Sequence, residues 1–237
     1  MKNIRDEFYS TLYPLYKTML AENTYNNICT FCIQWGENFP VSKNSGLVFV
    51  GKAVNRWITN TDEVDLLFGD SDDNIFALED QMKWVVDREG NHNGYNTKRS
   101  AFWRVVKRIS NYYYPHENWY SHVAWTNLCK LAPYDGGNPN QGLYDQQLSS
   151  AQEILKHELE ILSPRFVIML TSGWEHDFIS YFNDNNDIDF IETVDWDEYQ
   201  TRICKINNTF FILSKHPQGK NENNSFNSIV KLIDKYK

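Results

Sequence analysis

Two runs of β-forming residues with no polar member, LVFV at 47–50 and FVIML at 166–170, constrain the fold more than any other feature of the chain. A strand that is apolar on both sides must be covered on both faces, which is the situation of a central strand in a parallel sheet. Around these runs, helical spacing alternates with short strands. Helices are expected at 5–20, with Pro14 as a kink or break, and at 25–34, within 75–87, near 98–113, over about 143–162, in GWEHDFISYF, and from about 224 to the end. Further strands are expected at HVAWTN (122–127), near 202–205 and at 209–213. This alternation defines an α/β class: a three-layer α/β/α fold with a central, mainly parallel sheet.

At 237 residues the chain is long enough to bury one full core, and a single domain over 1–237 with an N-terminal helical segment at 1–35 is expected. No stretch of about 18 apolar residues occurs, and MKNIRDEFYS has no apolar signal core, so the reading is a soluble, cytoplasmic protein without a membrane partner. Four cysteines are too few for a disulfide scaffold in a chain of this length and are expected to be reduced. Nothing in the sequence sets the oligomeric state.

The net charge of −8 argues at first against a nucleic-acid partner, but the acids are concentrated. Residues 62–89 hold ten Asp/Glu against two Lys/Arg, and residues 175–198 hold nine against none. Of 31 acids and 23 bases, 12 and 21 remain elsewhere, a balance of +9. Charges are screened over about 8–10 Å in physiological salt, so a basic face can attract phosphate on an anionic molecule. The two acidic segments read as solvated surface.

Three strands lead into polar loops: GKAVNRW after Val50, NLCKLAPYDGG after the strand ending near Asn127, and SKHPQGKN after the strand ending near 213. In open α/β sheets, ligands bind outside the carboxyl ends of the strands, so these loops are expected to meet at one edge and form a site.

In chain order, these segments resemble the uracil-DNA glycosylase superfamily. LVFVGKA resembles its first motif, a strand ending in Gly-x-Ala/Asp/Asn-Pro, and WTNLCKLAPYDGGNP resembles the Thr-Asn-x-x-Lys stretch of its bacterial and archaeal iron–sulfur branch. HELEILSPRFVIML resembles the helix and strand that follow there, and SKHPQ resembles the closing His-Pro-Ser motif. The resemblance spans roughly residues 28–221, and four ordered motifs are more specific than any one of them. It implies a hydrolase that excises uracil or a related damaged base from DNA by cleaving the N-glycosidic bond.

Such an enzyme takes the base out of the stack and reads it in a pocket. By resemblance Asn127 reads uracil, its amide matching N3–H and O4 and opposing cytosine. His216 donates to O2 of the departing base. Phe102 stacks on the base, with Trp57 as a second candidate, while Gly51 and Ala53 form the wall of the base pocket. Lys215, Gln218 and Lys220 face the DNA backbone. Taken alone, each has a plainer reading: Asn127 as a turn cap, His216-Pro217 as an ordinary loop, and both aromatics as core.

The pattern also departs from the family. Ala53 occupies the position that elsewhere holds a water-orienting Asp or Asn, which leaves the role to Asn55 or to Asp62, Glu63 or Asp65. Cys29 and Cys32 form the branch's first C-x-x-C, but Leu131 and the region of Ala151 stand where further cluster ligands belong, and a cluster needs about four thiolates. The two cysteines are expected to pack as one helical face, and neither cofactor nor metal is expected. The alternative to an active glycosylase is a catalytically weak or inactive member of the fold that binds nucleic acid, a nucleobase or a nucleotide.

Overall fold

The computed structural model describes residues 4–40, 42–55, 64–68, 80–91, 95–115 and 118–237. The helices are α1 (Ile4–Glu22), α2 (Val64–Phe68), α3 (Trp84–Asp87), α4 (Ala101–Tyr113), α5 (Gln141–Leu162), α6 (His176–Phe182) and α7 (Glu222–Tyr236). The strands are β1 (Ile28–Thr30), β2 (Gln34–Trp35), β3 (Leu47–Gly51), β4 (Val123–Asn127), β5 (Leu131–Pro133), β6 (Phe166–Leu170), β7 (Phe190–Trp196), β8 (Tyr199–Ile206) and β9 (Thr209–Ser214). Seven of them form one sheet in the order β2-β4-β3-β6-β9-β8-β7, while β1 and β5 pair separately.

The four central strands β4, β3, β6 and β9 are parallel, and β2, β8 and β7 are added antiparallel at the edges. Alternation along β3 explains the unbroken apolar run. Val48 and Val50 pack with α1, α5 and α6 on one face, and Leu47 and Phe49 pack with α4 and α7 on the other. The expected three layers are therefore present, and both apolar runs are central strands, buried throughout. No described helix is long and apolar enough to cross a membrane.

Boundaries follow local chemistry. Asn140 caps α5 by accepting the Leu143 N–H at 2.9 Å, and the helix ends at left-handed Ser163 just before Pro164. Asn221 and Ser100 cap α7 and α4 in the same way. Helix α1 runs through Pro14 without a break.

Two expectations fail. Residues 25–34 are not helical: they hold β1 and the first residue of β2, so the helical segment covers Ile4–Glu22 instead of 1–35. Ile28, Cys29, Phe31, Cys32, Ile33 and Trp35 mimic helical spacing because this stretch is buried on every side, Cys32 with one half of the core and Cys29 with the other. The cysteine pair is core, but not one helical face. Strand β7 was also unforeseen. It lies inside the second acidic segment, where buried Val194 and Trp196 alternate with exposed Thr193 and Asp195, and its charges hid a period of two.

Candidate active site

Because β3, β4 and β9 are parallel, their carboxyl ends lie at one sheet edge, and the three loops meet there around a cleft of about 1470 Å³. Gly51, Ala53, Asn55, Phe102, Asn127, His216, Gln218 and Lys220 all line it. Lys215 is not among the lining residues, and Trp57, Asp62 and Glu63 lie outside the described residues. Asp65 is exposed and accepts the Tyr13 hydroxyl at 2.6 Å on the α1 side, so it is not a residue of the cleft.

Asn127 ends β4 directly opposite Gly51 in the parallel register. A Cβ at Gly51 would lie 2.4 Å from the Asn127 Oδ1 and 3.6 Å from a ring carbon of Phe102. The glycine thus makes room for the carboxamide. Asn127 is only 1% exposed, yet its Nδ2 has no hydrogen-bond partner, which is costly unless a ligand or water meets it. Gly51→Ala is expected to leave the melting temperature within a few degrees, because a side-chain amide can yield where backbone could not. The displaced amide should weaken handling of the base tenfold or more, measured as kcat/KM on a uracil-containing oligonucleotide beside a thermal melt.

Beneath Asn127 lies a buried ionic knot. Lys130 Nζ donates to Glu158 Oε2 at 2.7 Å, Thr126 Oγ1 at 2.8 Å and the Asn127 carbonyl at 2.9 Å, and Thr126 in turn donates to Glu158 at 2.7 Å. Neither charged side chain reaches solvent. Burial lowers the Lys130 pKa and raises that of Glu158, and their mutual attraction opposes both shifts. All three ammonium protons are used, so the end of β4 is tied to α5.

His216 sits at the start of the loop after β9. Its backbone N–H donates to Ser172 Oγ at 2.7 Å, and its Nδ1 accepts the Gln218 N–H at 3.3 Å. With Nδ1 an acceptor, Nε2 carries the proton of the neutral ring and is left as a donor. Burial, assisted by Lys52 and Lys220, lowers the His216 pKa to about 4. Its ring runs nearly parallel to Phe102, 19° between planes and 6.1 Å between centroids.

Phe102 occupies the first turn of α4, which Ser100 caps, and is 7% exposed. Its ring packs perpendicular to that of Trp103 with centroids 5.1 Å apart, so it serves the core and the cleft together. Asn55 is at the rim and exposed, and its Oδ1 accepts the Gly137 N–H at 3.1 Å, which joins the first loop to the second.

The loop after β6 was missed by the sequence reading. Ser172, in a left-handed conformation, holds the His216 backbone, while Glu175 accepts the Gly173 N–H at 2.7 Å and the Thr171 hydroxyl. Thr171-Ser172-Gly173 directly after an apolar strand was the available signal.

Charge around the cleft opposes the net charge of the chain. Lys52, Arg88, Arg99, Arg104 and Lys220 line it, and Asp135 is the acid among the described lining residues. Two bases of α4 are paired with acids, Arg104 of the cleft with Glu222 at 3.0 Å through its Nε and Lys107 with Glu89 at 2.7 Å.

The iron–sulfur ligand positions do not fit a cluster. Cys29 and Cys32 belong to opposite halves of the core, and Leu131 and Ala151 are buried apolar residues. All four cysteines are buried thiols, and burial raises the Cys129 and Cys204 pKa values to about 12. Among the described residues no group of three or more His, Cys, Asp or Glu side chains is gathered as a metal site. A search of curated proteins finds no match to the chain. A family model, the uracil DNA glycosylase superfamily, matches residues 35–236.

Proposed function

The chain belongs to the uracil DNA glycosylase superfamily, and from that premise we propose that it excises uracil or a related damaged base from DNA by hydrolysing the N-glycosidic bond, as one domain and without a metal. Membership supports a DNA glycosylase-like function in general. The observation that carries the finer reading is an unpartnered buried amide, a neutral histidine with a free N–H and an aromatic face around one cationic cleft.

In this reading the extruded base stacks on Phe102, and Asn127 pairs with N3–H and O4. The C1′–N1 bond breaks with its electron pair going to the base. The charge that develops on O2 is met by His216 Nε2–H, water adds its oxygen to C1′ to leave an abasic site, and the proton it gives up to solvent is matched by the one the departing base anion takes back from solvent. A neutral donor suits a leaving group that departs as an anion, because it stabilises the charge without needing to surrender a proton. The cationic rim, with Gln218, Lys220 and the adjacent Lys215, would hold the phosphates. Asn55 would position the water, although its carbonyl is already shared with Gly137.

The decisive assay incubates the protein with an oligonucleotide containing one uracil and measures free base and alkali-labile strand breaks, with and without EDTA. Release unchanged by EDTA supports the proposal, and a result of tight binding without release would overturn it. Ala53 and the engaged Asn55 favour that second reading, a binding protein whose affinity for DNA falls steeply with salt.

The pH profile tests the histidine. An imidazole with an ordinary pKa gains a proton as the pH falls through about 6.5, whereas His216 stays neutral until about 4. Single-turnover release is therefore expected to show no step near pH 6.5.

A further inference from the structure

The cations that line the cleft are not equivalent as chemical groups. Arg88, Arg99 and Arg104 keep their protons at any working pH and act only as charges and donors. Lys220 donates to the Gln218 carbonyl at 3.3 Å, with its ammonium 5.3 Å from the centre of the Tyr199 ring. Lys52 is different. Among the described residues its side chain makes no hydrogen bond or ion pair, and its half-buried ammonium rests over the Trp174 ring, 4.9 Å from the centroid.

The position of Lys52 is fixed by the backbone. It follows Gly51, the residue that makes room for the Asn127 amide. The Gly51 carbonyl accepts the Leu128 N–H at 2.9 Å and the Lys52 carbonyl accepts the Cys129 N–H at 2.9 Å, so the chain that carries the lysine is pinned to the loop after β4. Of the charges that act on His216, that of Lys52 is the largest, which sets the amine close to the group that faces the departing base. Burial lowers the Lys52 pKa; Glu175 opposes that shift, and Lys220 and Lys215 reinforce it. A desolvated lysine beside other cations holds more of its neutral form, the form that attacks a carbonyl carbon.

We propose that Lys52 is a nucleophile that gives the protein a second activity, cleavage of the DNA strand at an abasic site. The substrate is the product of base excision, so the inference rests on the glycosylase reading above. Ring opening of the abasic sugar exposes an aldehyde at C1′. The Lys52 Nζ adds to that carbon, and loss of water forms a C=N bond. A C2′ proton then passes to solvent, the C3′–O bond breaks, and its electron pair leaves with the 3′ phosphate. Water hydrolyses the conjugated imine, which restores the amine and leaves an unsaturated aldehyde on the 3′ end. No oxidant or reductant is consumed.

The test mixes the full chain with a duplex that carries one ready-made abasic site, with and without sodium borohydride, which reduces the imine to a stable amine. Wild type is expected to break the strand before any alkali is added and, with borohydride, to form a covalent adduct that mass spectrometry maps to Lys52. Lys52→Arg keeps the charge and removes the nucleophile, so adduct per bound DNA should fall about tenfold or more, whereas Lys220→Arg should retain it. A tetrahydrofuran analogue of the site, which has no aldehyde, should bind and give no adduct. The proposal is overturned if wild type forms no adduct, if the adduct maps to another residue, or if Lys52→Arg forms it as well as wild type. Uracil release with no adduct would sink the strand cleavage alone, and an adduct at Lys52 with no release from uracil-containing DNA would sink the glycosylase reading alone.

Discussion

His216→Ala is expected to slow release of uracil from DNA by about 10²–10³-fold, the usual loss when one preorganised donor to a developing oxyanion is removed. The melting temperature should move little, because the ring lines a cleft instead of filling the core. Asn127→Ala should cost a similar factor, since it deletes both partners of the pyrimidine edge, and Asn127→Asp should not rescue it, because a carboxylate sets an acceptor against O4. The double variant His216→Ala with Asn127→Ala is expected to abolish release. Single-turnover kinetics distinguishes these from binding defects. A wild-type rate in either single variant would remove that residue from the site.

The largest effect on stability is expected from Lys130→Met or Glu158→Leu. Each leaves one charge buried with no counter-charge, in a place where neither side chain touches solvent, and such losses run to about 3–5 kcal/mol. For a chain of this size that corresponds to about 6–20 °C in melting temperature. Replacing both residues together should recover much of the loss, because the expense lies in the orphaned charge more than in the pair. Urea melts of the two single variants and the double variant give the coupling directly. Simple additivity would show that the pair is not the unit described. The double variant should nevertheless excise poorly, since the Lys130 ammonium also holds the Asn127 carbonyl at 2.9 Å.

The central sheet was legible because burial on both faces demands the uninterrupted runs seen in β3 and β6. The loops after β3, β4 and β9 were legible because parallel strands must deliver their carboxyl ends to one side. The core of β1 and β2 was not. Strands of two and three residues take their geometry from partners at 124–125 and 131–133, about ninety residues or more away, and no local period records that. The same holds within the cleft. Asn127 and His216 stand in recognisable motifs, whereas Ser172 acquires its meaning only where tertiary packing sets it against the His216 backbone.

The two margins of the seven-stranded sheet are finished differently. On one side β2 offers only Gln34 and Trp35, too short to template another strand, and on the other β7 turns Ile191, Thr193 and Asp195 outward while Glu192 pairs with Lys235 of α7. A border carrying a carboxylate at Asp195, beside a β2 border of two residues, is a poor template for a strand from a second molecule. Growth of fibrils through the sheet edges is therefore expected to be slow at high concentration, which light scattering would check.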